Sequence, residues 1–244
     1  LTLKKGKIRG EESFGMLCSE KELSISENHN GIIELPEDTR IGISVAEVMD
    51  LNDPVIEIEI TPNRGDCLGV RGIARDLSAK LKIGLNKKII NQEKGKFESV
   101  ISWSLSNEKD CPIIYGRHFK ILENKDSPYW LKNKLLSIGL KPISSLVDIT
   151  NYILFDIGRP LHVFDIKKLD GELKVSQVKH REKFIGLDKK EYILEEGDLV
   201  IRDSKKIVSL AGIMGGLNSC VDKNTTEVFL EVAYFDPKKI GRAS

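Results

Sequence analysis

The pattern of apolar and polar positions predicts two different elements early in the chain. Isoleucines alternate with glutamates over residues 55–60, and this period of two predicts a half-buried strand. Over residues 68–81 the leucines and isoleucine recur at close to helical spacing. That spacing predicts a helix with Asp66 as its N-terminal cap and Gly84 as its end.

Later in the chain the same pattern predicts two more helices and then a series of short strands. Ser127 and Pro128 are typical of a helix start, and Gly139 of a helix end. The stretch 145–157, followed by Gly158, predicts the second helix. Short β patterns separated by turn residues follow at 173–178, 183–185, 199–202, 207–210 and 227–231. Two helices followed by a succession of strands indicate an α+β fold, rich in β structure, whose sheet is mainly antiparallel.

Changes in composition along the chain separate three blocks, and we expect the chain to divide into four segments. A β-rich segment covers residues 1–42, an αβ segment covers 43–90, a connector covers 91–110, and the main domain covers 111–244. The chain begins with leucine and stops abruptly after Gly241-Arg242-Ala243-Ser244. We therefore expect it to be a piece of a longer, multidomain protein.

Composition excludes several classes of protein. Thirty-eight basic and 37 acidic residues leave a net charge of +1, so any binding to nucleic acid depends on local patches. The four cysteines form no CxxC pair, which indicates free thiols in a reducing compartment. No apolar run approaches the length of a membrane span, and the four histidines match no zinc-binding motif.

Three features remain as candidates for a binding site. Three glycines within 211–216 favour either a tight β turn or a wall against which a ligand lies close to the backbone. Glu231 interrupts an otherwise apolar run, so its carboxylate is either paired in a site or turned to water. His162 follows the second predicted helix and is either structural or part of a pocket rim. These residues predict a pocket but not its substrate.

Several motifs, in order along the chain, resemble the beta chains of bacterial phenylalanyl-tRNA synthetases. They are Gly10 to Glu20, Glu59 to Leu68, Gly72 to Leu77, Val147 to Tyr152, Arg159 to Asp165, Gly212 to Gly216, and Leu230-Glu231. The resemblance implies that 1–42 is the end of an OB-type tRNA-binding domain and 43–90 a B1-like segment. It also implies that 111–244 is a B3/B4-type editing domain that ends before its last segment.

The resemblance further implies a function. A synthetase of this family is a cytoplasmic α2β2 heterotetramer that charges tRNA(Phe) at its alpha subunit, using ATP and magnesium, neither of which is placed on residues of this chain. The beta subunit binds tRNA and hydrolyses tyrosine mistakenly joined to tRNA(Phe). No membrane or DNA partner is implied.

Carried over position by position, the resemblance assigns eight site residues. Those assigned to catalysis are His162, Glu231, Thr150 and Asn151, and those assigned to the substrate are Ala211, Gly212, Gly215 and Gly216. Glu231 is expected to accept the phenolic hydrogen of tyrosine beside a backbone group near Gly215. His162 acts either as a general base or by positioning the attacking water.

Two other functions stay open at this point. The chain could be a non-catalytic scaffold for tRNA docking and subunit assembly with an inactive pocket, in which Lys4, Lys5, Lys7 and Arg9 contact phosphates. Those four residues are equally well explained as solvated surface charges. It could also be a free-standing deacylase that acts without a partner.

Overall fold

A computed structural model describes residues 4–86, 90–121 and 123–241 of the chain. Within these ranges the strands are β1 Gly6–Ile8, β2 Glu11–Ser13, β3 Trp103–Leu105, β4 Ile113–Lys120, β5 His162–Asp165, β6 Leu173–Gln177, β7 Glu182–Ile185, β8 Glu191–Leu194, β9 Leu199–Arg202, β10 Ile207–Leu210, β11 Met214–Gly215 and β12 Glu227–Tyr234. The helices are α1 Val45–Val48, α2 Val70–Leu81, α3 Tyr129–Ser137, α4 Ser145–Ile157 and α5 Pro237–Ile240. This mixture of helices with mainly antiparallel strands confirms the predicted α+β class.

The chain forms two compact units, Leu1–Pro54 and Val55–Ser244. The first contains the β1–β2 hairpin and α1. In it Lys5 forms an ion pair with Glu12 at 2.7 Å and lies over the ring of Phe14. The boundaries predicted near residues 42, 90 and 110 stay predictions.

Two sheets organise the second unit. One has five strands in the order β11-β10-β9-β6-β3, and the other has three in the order β4-β12-β5. All pairings are antiparallel except that of β3 with β6. A separate hairpin joins β7 and β8.

The main core lies between these two sheets. Phe164 of β5 and Phe229 of β12 are buried together with Val175, Ile201 and Val208 of the five-stranded sheet. Side chains two residues apart on a strand share a face. Residues 162 and 231, two positions from Phe164 and Phe229 respectively, therefore also point toward the five-stranded sheet.

Helix α4 confirms its predicted bounds. It starts after Ser144 and ends at Gly158, which has a φ of 71°. That left-handed conformation suits glycine and ends the helix. Asp148 on α4 is fully buried and accepts hydrogen bonds from the Ser127 hydroxyl at 2.5 Å and the Ile143 amide at 2.8 Å. The loop after Gly158 leads directly into β5, which carries His162.

Three local predictions were wrong. Residues 55–60 form no strand, because the described chain places no partner beside them, and most of their apolar side chains are exposed. Helix α2 has Gly69 as its N-cap, since Asp66 pairs with Arg64 and Arg75 instead of capping. The helix ends at Leu81, and its C-cap is Lys82 where Gly84 was predicted. The hydroxyl of Ser127 donates its hydrogen bond to Asp148, so no side chain caps the start of α3.

Two further observations concern the whole described chain. All four cysteines are free thiols. Among the described residues, none of the helices has both the length and the apolar character needed to cross a bilayer.

Candidate functional site

Strand pairing brings His162 and Glu231 together. The two residues are directly opposite each other in the antiparallel β5–β12 ladder. Opposite residues in such a ladder point to the same face, with Cβ atoms about 4.5–5.5 Å apart. The histidine and the carboxylate are therefore neighbours on the face of the three-stranded sheet that looks toward the five-stranded sheet.

A cavity of about 300 Å³ opens beside this pair. Its walls come from both sheets, from the loop before β5 and from the residues after β12. They are Arg159, Pro160, Leu161, His162, Ser209, Gly212, Ile213, Met214, Gly215, Glu231, Ala233, Tyr234, Phe235 and Ile240. The volume is at the small end of the range of about 300–1,000 Å³ that ligand pockets span, which suits a ligand group of amino-acid size.

Glu231 is the acidic side chain of the cavity. It is 7% exposed, and burial raises its pKa to about 7. The neighbouring Cys111 thiol is fully buried, and its pKa is raised to about 11, first by burial and second by the Glu231 charge. Near neutral pH Cys111 is therefore a protonated thiol, whereas Glu231 exchanges readily between its charged and neutral forms.

Burial changes the pKa of His162 in the opposite direction to that of Glu231. Burial lowers the pKa of its imidazole to about 4, so the ring is neutral at pH 7. The ring packs edge-on against Phe164, with centroids 4.4 Å apart. Its Nε2 is buried and has no hydrogen-bond partner among the described residues. Buried nitrogens without a partner are rare, and this one lies beside a cavity.

Gly215 on β11 makes room for the imidazole. A Cβ added at this position would overlap the His162 ring. The glycine is needed because the two sheets approach closely here, and any side chain would displace the histidine. Gly212 also lines the cavity, at a φ of 70° that favours glycine.

The structure brings together four of the eight predicted site residues. His162, Glu231, Gly212 and Gly215 line the cavity, whereas the other four do not. Ala211 is fully buried in the core, and Gly216 packs against the Val208 carbonyl. Thr150 and Asn151 lie on α4, where the Thr150 hydroxyl donates to the Val147 carbonyl at 2.7 Å. The roles of all eight residues stay predictions.

Sequence reasoning missed part of the wall. Ser209 on β10 is buried, lines the cavity, and donates its hydroxyl to the Met214 carbonyl at 3.1 Å. Tyr234, Phe235 and Ile240 contribute apolar surface after Glu231. Alternation along β12 was a signal for Ala233, which also lines the cavity and lies two residues from Glu231 on the same face. It gives no signal for Ser209, Tyr234 or Ile240.

A separate cluster in the second unit has the composition of a metal site. Ligand atoms of Asp66, Cys67 and Asp76 lie within 4.8 Å of one another. Arg64 and Arg75 each pair with both carboxylates and hold the pKa of each acid below its usual range. Burial, followed by Asp76, raises the pKa of the Cys67 thiol. The residues do not fit a cation, because two guanidinium groups already neutralise the acids.

Comparison with known proteins agrees with the motifs. A family model described as the B3/4 domain matches residues 110–244. The chain is 51% identical over 240 residues to the phenylalanine–tRNA ligase beta subunit of Gluconobacter oxydans (strain 621H), covering 98% of this chain and 29% of that protein. It is 48% identical over 245 residues to the corresponding subunit of Brucella suis biovar 1 (strain 1330), covering 99% and 30%.

A solved structure is also similar, more distantly. It is an N-terminal fragment of the phenylalanyl-tRNA synthetase beta subunit from Pyrococcus horikoshii, with 20% identity, a TM-score of 0.41, and coverage of 72% of this chain and 54% of that one. The chain spans about 30% of the length of the curated relatives. It belongs to the B3/4 domain family, matched by residues 110–244, and over nearly its whole length it is similar to one stretch of phenylalanine–tRNA ligase beta subunits.

Proposed function

We propose that this chain is part of the beta subunit of a phenylalanine–tRNA ligase and that its cavity hydrolyses tyrosine wrongly esterified to tRNA(Phe). In this proposal the complete enzyme is a cytoplasmic α2β2 assembly, and ATP and magnesium serve the charging reaction at the alpha subunit. The names of the relatives support the subunit role. The geometry of Glu231 and His162 supports the hydrolytic one.

A second site is needed because tyrosine differs from phenylalanine by a single hydroxyl. A pocket built for the phenylalanine ring rejects such an addition only weakly, whereas a site that hydrogen-bonds the hydroxyl discriminates strongly against the ring that lacks it. The editing site must therefore present a buried polar partner to the phenol. The observation that carries the proposal is that one cavity contains such a partner, Glu231, directly opposite a neutral histidine.

Glu231 supplies the selectivity in this account. Its ionised carboxylate accepts the hydrogen of the phenolic O–H group. A phenylalanyl ring in the same place leaves the carboxylate buried and unpaired, which costs about 1–3 kcal/mol or more. The raised pKa of Glu231 shows how unfavourable the unpaired charge is.

The ring of the substrate occupies space that side chains would otherwise fill. Gly212 and Gly215 present bare backbone to the cavity, and Tyr234 and Phe235 add apolar surface. This combination suits a flat aromatic group, because apolar walls bury the ring while few polar groups orient it.

His162 provides a neutral nitrogen for the hydrolytic step. Water attacks the ester carbonyl carbon while the imidazole, which is unprotonated at pH 7, positions the water or takes up its proton. The C–O bond to the ribose then breaks, and the ribose oxygen takes up a proton, leaving free tyrosine and uncharged tRNA. An aminoacyl ester is already reactive, so placing water beside it supplies much of the acceleration. No serine or cysteine nucleophile is needed.

Incubation of the chain with Tyr-tRNA(Phe) and with Phe-tRNA(Phe), with and without an alpha subunit, tests the proposal. Faster loss of the tyrosyl ester supports editing. Loss by the chain alone supports a free-standing deacylase, and loss that requires the alpha subunit supports the assembled enzyme. If both esters are stable under both conditions, the editing proposal fails and the scaffold function remains. A sample without protein measures spontaneous hydrolysis, and we expect His162→Ala to reduce the rate relative to the wild type.

A further inference from the structure

We propose that a second cavity, along the edge strand β4, binds the sugar–phosphate backbone of the same tRNA. This inference rests on the proposed function, since it concerns a further contact with that substrate. The cavity, called the β4 groove below, has a volume of about 460 Å³. It is lined by Glu93, Lys94, Gly95, Lys96, Phe97, Ser99, Gly116, Arg117, His118, Phe119 and Lys120.

The β4 groove is strongly basic although the chain as a whole is nearly neutral. Lys94, Lys96, Arg117 and Lys120 line it together with one acid, Glu93. Glu227 on the neighbouring strand forms an ion pair with Lys120 at 3.8 Å, which leaves the cations in excess. The Arg117 guanidinium donates to the backbone carbonyl of Glu93 at 2.5 Å, which ties the segment before β3 to the edge of β4 and leaves the charge of Arg117 uncompensated by that contact. A local cluster of this kind is what binding to a polyanion requires.

A buried histidine points to a ligand in the same groove. The His118 side chain is 3% exposed, and neither ring nitrogen has a hydrogen-bond partner among the described residues. The nearest acid is Glu227, whose Oε2 lies 3.5 Å from Nε2. The ring meets Phe97 edge-on, with centroids 4.8 Å apart. Of the two nitrogens, Nδ1 has no acid within ion-pair distance among the described residues. A buried nitrogen without a partner that lines a basic cavity is suited to a phosphate or ribose oxygen.

Two aromatic rings position the charges. Lys120 Nζ lies 5.0 Å from the centroid of the Phe97 ring, and the Arg117 guanidinium lies 5.6 Å from that of Phe119. Cations placed over aromatic faces lose some of their mobility. Interleaved basic and aromatic side chains are typical of surfaces that follow a nucleic-acid strand, whereas a metal ion would be repelled by the same cations.

The sheet register links the β4 groove to the editing cavity. One row of paired residues across the three strands is Gly116, Glu231 and His162. The next row on the same face, two residues along each strand, contains His118 and Phe229. His118 and His162 are thus two strands and one row apart on the same face, which puts their backbones roughly 12 Å apart. A tRNA is far larger than this distance, so one molecule can contact both sites.

The experiment measures binding of uncharged tRNA(Phe) to the full chain as a function of salt. The test variant is Lys94→Gln/Lys96→Gln/Lys120→Gln, and the matched control is Lys183→Gln/Lys189→Gln/Lys190→Gln, which removes the same charge from the β7–β8 hairpin. Each lost phosphate contact weakens binding about fivefold at 0.15 M salt. We expect the test variant to bind about a hundredfold more weakly, with a salt slope smaller by about 2 to 3, and the control to bind like the wild type.

A further variant isolates the buried ring. His118→Phe retains an aromatic contact with Phe97 and removes both nitrogens, so we expect it to weaken binding severalfold without changing the thermal melting curve. Equal affinity and salt slope in the groove variant, the control and the wild type would overturn the proposal.

The same samples separate this proposal from the editing function. When the protein is present at a saturating concentration, we expect the lysine-to-glutamine test variant of the groove to hydrolyse Tyr-tRNA(Phe) as fast as the wild type. If tRNA binding depends on the groove but the chain hydrolyses neither ester, the editing proposal is refuted and the groove proposal is supported.

Discussion

The opposed pKa changes of Glu231 and His162 lead to a test that needs no substrate. Glu231 has a pKa near 7 in the folded chain against an ordinary 4.5, and His162 has one near 4 against 6.5. Both differences arise from burial of the charged form. The variants that remove one group and leave the other are Glu231→Gln and His162→Gln.

The signs of the two contributions are opposite. The raised pKa of Glu231 gives a contribution to stability that is complete below pH 4.5 and is lost as pH rises through 7. The lowered pKa of His162 gives one that is complete above pH 6.5 and is lost as pH falls through 4. At about 1.4 kcal/mol for each pKa unit, each contribution amounts to about 3 kcal/mol. Between pH 4.5 and 6.5 one contribution falls while the other rises by about the same amount per pH unit, so their sum in the wild type hardly changes with pH.

The assay is urea unfolding of the wild type and both variants from pH 4 to 7. Relative to the wild type, Glu231→Gln should gain stability as pH rises from 4.5 to 7, by up to about 3 kcal/mol. His162→Gln should lose a similar amount as pH rises from 4 to 6.5. Differences that are independent of pH, or that change in the reverse direction, would refute the burial of this pair.

Two further predictions concern the surroundings of the site. Gly215→Ala places a methyl group against the His162 ring, so we expect single-turnover hydrolysis of Tyr-tRNA(Phe) to fall at least tenfold. Gly84→Ala is the control, because Gly84 has open space around it, and it should leave the rate unchanged. Equal rates for the two variants would show that the His162 ring has room to move. Ser127→Ala removes a donor from the fully buried Asp148 and should lower the free energy of unfolding by about 1.5–3 kcal/mol in urea titrations. The exposed Ser137→Ala should change it by less than about 0.5 kcal/mol, and a similarly small effect at Ser127 would contradict the importance of that hydrogen bond.

Local patterns predicted much of the second unit. The bounds of helix α4 agree with the prediction, for which Gly158 at its end was the strong local signal. The strand at 55–60 was wrong because alternation shows only that a segment can be half-buried, whereas a strand also requires a partner, which only the tertiary structure reveals. Asp66 was misassigned because two arginines compete for it.

The site was predicted in part for a similar reason. Glu231 stands out as an acid within an apolar strand, and the structure places it in a cavity with His162. The β4 groove could not be found this way, because its basic residues come from two segments that meet only in the fold. Taken singly along the sequence, those residues look like ordinary surface charges.

The most direct test of the account compares the hydrolysis of two esters by two chains. Single-turnover rates are measured for Tyr-tRNA(Phe) and Phe-tRNA(Phe) with the wild type and with Glu231→Ala. The account predicts that the wild type prefers the tyrosyl ester and that this preference falls by at least about tenfold in the variant, because the phenol loses its buried partner. An undiminished preference in Glu231→Ala would contradict it.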